Sequence, residues 1–389
     1  MIYVGIDVAK DKHDCIIKNS EGQTLYPSFS FPNNLTGFNL LLERIQSCSS
    51  NFDEIKIGLE ATGHYSNNLV DFLTFKNHHI FIINPLHTCL YKKSLSFRKT
   101  KTDKADAQSI VSMLMTQTLT SYVPISYHEK ELKSLTRYRF TLVQDNSKLK
   151  TSFARLMNII FPELQGIVHE LQVNSVYHLM DDYPDTASLA NAHLTHLTNL
   201  LSKYSKGHYS RSKAIEIREA ARNSIGTSDC IQTLELRQTI ARILLLTEQI
   251  NTVEQRIKEI IKEIDSPFVN IPGISYITAA MLHAEIGDFS KFSNARKILA
   301  FAGMEPSIYQ SGQYTSTHAK MVKRGSKYLR YALYTAAKNV ANWDETFGAF
   351  LQKKLAEGKP YNVAVSHVAK KLTRVLYKLE TQHLAYKAT

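Results

Sequence analysis

The sequence predicts an α/β domain followed by a mostly helical remainder, and three observations carry that expectation. Short apolar runs alternate with helical patterns as far as the stretch QSIVSMLM. From Tyr127 to about Asp265 glycines become few and the patterning turns helical. Ser266-Pro267 then breaks the helix and opens a third segment with its own turn signals. The expected division is 1–125, 126–265 and 266–389, and 389 residues suffice for two or three separate cores.

The first domain reads element by element. Ile2 to Ile6 is a short apolar strand ending at Asp7. Cys15 to Lys18 and Thr24 to Phe31 follow as strands joined by a turn through Asn19 to Gly22. Asn34 is placed to cap a helix carrying Phe38, Leu41, Leu42 and Ile45. In EIKIGLE the apolar residues alternate and Glu60 closes the strand. ATGHYSNNLVDFLTF predicts a helix, and Ile80 to Ile83 a buried strand stopped by Asn84-Pro85. A three-strand meander followed by helix, strand, helix, strand and helix is the order of a ribonuclease-H-like α/β domain.

In the middle segment Ile243, Leu246, Ile250, Val253, Ile257, Ile260 and Ile264 recur in steps of three and four. That spacing fits a coiled-coil seam and equally a long core helix in a bundle. In the last segment Pro272-Gly273 followed by a helix from Ser275 or Tyr276 resembles a helix–hairpin–helix, whose turn amides grip phosphate. An ordinary helix–turn–helix connection has the same signals.

Composition narrows the partners. The hydrophobic share of 43% and charged share of 21% describe a globular chain. The net charge is +12, with an isoelectric point near 9.3. Such an excess attracts polyanions, nucleic acid first and an anionic membrane surface second. MIYVGID has neither a basic start nor a long apolar run, so no secretory signal is expected, and no stretch reaches the ~20 apolar residues of a membrane span. Cys15, Cys48, Cys89 and Cys230 are scattered without zinc-ligand spacing, which fits a reducing, cytoplasmic setting.

The chemistry concentrates in two stretches. KTDKADA carries Asp103 and Asp106 at i and i+3, on one face of a helix that begins near Asp103. Acids at a helix start also serve as caps, so that reading stands beside a functional one. Lys92, Lys93, Arg98, Lys99, Lys101 and Lys104 surround the pair, a setting suited to a metal-dependent cut in a polyanion. With Asp7 and Glu60 the pair forms a candidate four-carboxylate site for Mg²⁺ (or Mn²⁺). In AGMEPSIYQSG, Ser311 precedes a glycine in a polar loop, and no Asp or Glu occurs between Glu305 and Asp344. Lys320, Lys323, Arg324, Lys327 and Arg330 do occur there. A hydroxyl in a basic, acid-free stretch suits attack on a phosphodiester; most Ser-Gly pairs are simply turns.

Taken together, GIDVAKDKHD, LEATGHY and KTDKADA at one end resemble the DEDD transposases of the insertion-sequence 110 group, including its insertion-sequence 1111 branch. IPGISYITAAMLHAEIGDFSKF, AGMEPSIYQSG, KRGSKYLRYAL and GKPYNVAVSHVAKKL carry the resemblance at the other end. It implies a RuvC-like domain with its acidic quartet on Asp7, Glu60, Asp103 and Asp106. It implies a mostly helical C-terminal transposase domain with its nucleophilic serine on Ser311. It further implies a recombinase acting on donor and target double-stranded DNA under the direction of a bridge RNA. Exchange of strands between two duplexes calls for a homo-oligomer, a dimer or tetramer. A pilin-inversion-type DNA invertase shares these motifs, and a resolvase-type nuclease without a covalent intermediate shares the acids. An actin-like kinase and a non-catalytic scaffold fit the charge or the ordered acids poorly.

Overall fold

The computed structural model describes residues 1–61, 63–95, 103–122, 127–307, 310–311, 314–315 and 321–387, and backbone alone at 95, 103–104, 127–128, 310–311 and 314–315. It falls into two compact units, Met1–Pro124 and Ile125–Thr389.

The first unit runs β1 (Ile2–Val8), β2 (Lys12–Asn19), β3 (Thr24–Pro32), α1 (Leu35–Cys48), β4 (Ile55–Glu60), α2 (Asn67–Phe75), β5 (His79–Ile83), α3 (Pro85–Leu95) and α4 (Asp103–Thr116). The sheet order is β3-β2-β1-β4-β5. The first three strands form an antiparallel meander, while β4 runs parallel to β1 and β5 parallel to β4. Successive side chains of a strand point to opposite faces, so one face of β1 and β4 is set by Val4, Ile6, Ile57 and Leu59. Those residues join Phe38, Leu41 and Ile45 of α1 in the main core of the unit.

The opposite face belongs to α4. Gly5 and Gly58 are register partners on β1 and β4. A Cβ on Gly5 would stand 2.5 Å from the Ala107 carbonyl, and one on Gly58 would stand 2.7 Å from Leu114 Cδ1. Two adjacent glycines thus leave the shallow seat in which the helix lies.

Two elements differ from the sequence expectation. α2 starts at Asn67, because a turn around Gly63 at φ +59° occupies the residues before it. α3 was not expected at all. Asn84-Pro85 does end β5, but proline fits the first helical position and Asn84 Oδ1 accepts from the Leu86 amide at 2.9 Å.

The second unit is built on α5 (Tyr127–Ile160) and α11 (Cys230–Glu263). The pairs Glu131–Arg256, Arg139–Glu254 and Arg155–Glu235 show that the two helices run antiparallel. Between them come α6 (Leu164–Ile167), α7 (Asn174–Asp182), α8 (Thr186–Ala190), α9 (Leu194–Tyr204) and α10 (Arg211–Arg222), which close a core with Phe153, Met157 and Ile243. The isoleucine seam of α11 is used inside the chain: Ile257 and Ile260 are fully buried, and Leu246 and Ile250 pack against the same core.

That core also holds α12 (Tyr276–Ile286), α13 (Ala295–Phe301), α14 (Lys327–Trp343), α15 (Glu345–Ala356) and α16 (Tyr361–Thr381). Ser275 caps α12 by accepting from the Thr278 amide. Gly273, at φ +89°, lies so close to α14 that a Cβ would stand 2.7 Å from the Asn339 carbonyl carbon, so the Pro-Gly turn serves packing. No described helix is long and apolar enough to cross a membrane.

Candidate active site

The acids of the first unit follow from strand period and helix direction. Asp7 lies two residues beyond Gly5, and Glu60 two beyond Gly58, so both point to the face that α4 covers. The register Ile6↔Leu59, continued by one residue, sets them side by side at the C-terminal ends of parallel strands. The direction of α4 completes the arrangement. Ala107 packs at Gly5, and Met115, near the other end of the helix, reaches Gly22 in the β2–β3 turn. The first turn of α4, with Asp103 and Asp106, therefore lies toward the Asp7 and Glu60 end.

Asp106 is mostly buried, its side chain 14% exposed, and Lys92 Nζ of α3 stands 2.7 Å from its Oδ1. Asp103 opens α4, and its side chain is outside the described residues. Among the described residues no three His, Cys, Asp or Glu side chains close into a metal-sized group. The donor set nonetheless has the right chemistry for a hard divalent cation, which takes carboxylate oxygens and water.

A further acid belongs to this face. Asp14 of β2 is the register partner of Asp7, is 6% exposed, and accepts a hydrogen bond from Ser30 Oγ of β3. A carboxylate directly before the apolar run Cys15–Ile17 was the signal that could have marked it.

The second unit holds the serine. β6 (Gln310–Ser311) and β7 (Tyr314–Thr315) pair antiparallel, with Ser311 opposite Tyr314. Ser311 is therefore on a short strand, where the sequence reading expected a loop; its side chain is outside the described residues. A two-residue strand is too brief for any periodicity to reveal it. Ser316, the neighbouring alternative, also lies outside the described residues. On either side of the hairpin in the chain, Pro306 bridges Met321, the Val322 amide donates to Glu305 O at 2.9 Å, and the Lys323 amide donates to Gly303 O at 3.0 Å.

The basic candidates separate by environment. Arg98, Lys99, Lys101 and Lys320 lie outside the described residues, as does the side chain of Lys104. Lys93, Lys323, Arg324 and Lys327 are exposed. Lys92 is held by Asp106, and Arg330 Nη1 donates to the Ala302 carbonyl at 2.8 Å, so these two cations already have internal roles.

Residues 4–162 match a family profile described as "Transposase", the DEDD type of IS110. Residues 266–352 match a second, "Transposase IS116/IS110/IS902 family". The chain belongs to this transposase family. It is accordingly a DNA transposase or recombinase. The family implies use of a divalent metal in general. The first profile spans all four acids, and the second spans Ser311. Relatives cover the chain almost end to end. A pilin gene-inverting protein of Moraxella bovis is 26% identical over 383 residues, 98% of this chain and 96% of its own length. An uncharacterized 44.8 kDa protein of insertion element IS116 from Streptomyces clavuligerus is 23% identical over 97% of this chain and 94% of its own. The transposase for insertion sequence element IS1111A of Coxiella burnetii is 24% identical over 79% of this chain and 72% of its own.

Proposed function

We propose that this IS110-family transposase cuts and rejoins DNA strands with two sets of groups, the acids of its first unit and Ser311 of its second. The observation that carries the reading is the glycine seat of α4, which sets the first turn of that helix toward the strand ends bearing Asp7 and Glu60. Strand order and acid placement together support a ribonuclease-H-like, RuvC-like domain. Asp7, Glu60, Asp103 and Asp106 are the residues that would hold Mg²⁺ or Mn²⁺, with Asp14 behind them. Such an ion, when bound, offsets charge on a scissile phosphate.

Ser311 Oγ is the proposed nucleophile. Its attack on phosphorus forms a phosphoserine ester and breaks the bond to one deoxyribose oxygen, which leaves as a hydroxyl. The reverse attack by a different strand's hydroxyl rejoins DNA with no external energy. Exposed Lys323, Arg324 and Lys327 flank the hairpin and would neutralise backbone phosphates. The reading extends to donor and target duplexes, to guidance by a bridge RNA as in the insertion-sequence 110 group and its 1111 branch, and to a homo-oligomer. Because the α11 seam is buried within the chain, an oligomer would use another surface.

The near full-length kinship with the pilin gene-inverting protein supports a second reading, inversion of a defined segment. Both readings require the serine. Wild-type protein incubated with its DNA and Mg²⁺ should yield a covalent protein–DNA band on a denaturing gel, and Ser311→Ala should yield neither band nor cut. Cutting by Ser311→Ala without a band would replace the reading with a water-dependent nuclease; a band with Ser311→Ala would move the nucleophile to Ser307 or Ser316. Sequencing of joined products separates inversion from insertion.

A further inference from the structure

We infer that Glu285 is the positioning residue of the Ser311 hairpin, its carboxylate fixing the hairpin's base to the helical core during strand transfer. The inference rests on the reading of Ser311 as nucleophile. Glu285 is the one acid in the helix YITAAMLHAEI, and its side chain is 2% exposed. A carboxylate is buried at such a position only when its oxygens are fully paired. Arg137 of α5 supplies two of the bonds, Nε to Oε1 at 2.6 Å and Nη2 to Oε2 at 3.1 Å. The third comes from Ser326, whose Oγ donates to Oε2 at 2.6 Å.

Ser326 is what turns a buried ion pair into a hairpin anchor. It is the N-cap of α14, on the C-terminal side of the hairpin, and its Oγ accepts from the Leu329 amide at 3.1 Å. A hydroxyl has one proton, and Glu285 takes it, so the lone pairs are left facing the helix amides. The Ser326 amide donates to Phe301 O at 2.9 Å, tying the C-terminus of α13 to the segment that enters α14. Gly325 and Gly303 make that closure possible. A Cβ on Gly325 would stand 2.3 Å from Phe301 O, and one on Gly303 would stand 2.9 Å from the Lys323 carbonyl carbon. The segments that flank the hairpin thus meet at one point of the core, and Glu285 is bonded to that point through Ser326.

Glu285→Gln is the test, because it keeps size and removes the acceptor pattern. Oε1 and Oε2 each receive an Arg137 N–H, and an amide NH₂ in either place faces a donor that it cannot accept. In full-length protein, Glu285→Gln should bind DNA within about threefold of wild type, while adduct formation at saturating DNA falls by at least about tenfold, the scale of a small misplacement of a reacting group. Hydrogen exchange at the Val322, Lys323 and Ser326 amides should accelerate. If Glu285→Gln folds poorly, the double variant Glu285→Gln, Arg137→Met leaves no buried unpaired charge and takes the same measurements. Faster exchange with an unchanged adduct rate overturns the inference, as does a rate that falls only with the folded or DNA-bound fraction. Adducts lost in Ser311→Ala yet kept in Glu285→Gln remove this inference alone. Adducts that persist in Ser311→Ala remove the nucleophile reading and this inference with it.

Discussion

The acidic face of the first unit and the hairpin base of the second each set a carboxylate against a cation, with opposite consequences. Asp106 meets Lys92 through one contact, with the lysine side chain 30% exposed. Glu285 meets Arg137 and Ser326 through three hydrogen bonds from a position closed to water. Burial would push the Glu285 carboxyl up, but the bonds from Arg137 and Ser326, with the charges of Arg137 and Lys133, hold it below the usual carboxylate range. Lys133 is displaced the other way, downward by its own burial against the attraction of Glu285. A single lysine on a flexible stem can be exchanged for another cation; a forked arginine bonded at two oxygens cannot be without loss of structure. One pair is therefore compatible with a working metal ligand, and the other with a fixed frame.

The largest expected effect separates the two pairs directly. Glu285→Ala leaves Ser326 and Arg137, whose side chain is 42% exposed, without their acceptor and should cost about 2–3 kcal/mol of stability in denaturant titration. Asp106→Ala should change stability by less than about 1 kcal/mol, the worth of a partly exposed pair, while abolishing DNA cleavage. A reversed ranking of the two stability losses would remove the contrast.

Acid should act on the second unit through His283. Its Nε2 lies 2.5 Å from Ser266 Oγ in the core, and burial lowers its pKa from 6.5 to about 4. Above pH 6.5 both folded and unfolded chains carry it neutral. As pH falls toward about 4, only the unfolded chain takes up the proton, so stability drops across that window, on the order of 3 kcal/mol in all. His283→Gln should flatten this part of the pH–stability curve measured by thermal melting, and an unchanged slope would count against the assignment.

Gly5→Ala places a methyl against the Ala107 carbonyl and should destabilise the first unit by about 1–3 kcal/mol, the usual cost of overpacking. Because it lifts α4 away from Asp7, cleavage should fall more than stability does; full activity in a folded Gly5→Ala would contradict the glycine seat. The smallest effect is expected at the surface. Lys327→Ala should reduce the slope of log K against log salt for duplex DNA by roughly one, with little change in melting temperature. Arg330→Ala, which loses its bond to the Ala302 carbonyl, should lower the melting temperature more than the salt slope.

Much of the first unit was legible because its short apolar runs, Ile2 to Ile6, the alternating EIKIGLE and Ile80 to Ile83, are separated by local turn and cap signals. The start of α4 near Asp103 and that of α12 at Ser275 or Tyr276 were legible for the same local reason. α3 was not, since one Asn-Pro signal both stops a strand and starts a helix. The partner of the α11 seam was not either, because a step of three and four states that a face is apolar without saying what covers it. Glu285 was hidden more deeply. An acid in an apolar helix marks a buried carboxylate, but Arg137 lies 148 residues away and no local pattern names it.

We propose that Ser311 and the acids of the first unit act in the same strand cleavage. Protein–DNA adducts formed in Mg²⁺, digested and read by mass spectrometry, test it most directly. Wild type should carry the nucleotide on the peptide containing Ser311, and Asp7→Asn, folded and DNA-bound, should carry none. Adducts on a different residue, or undiminished adducts at Ser311 in Asp7→Asn, would contradict it.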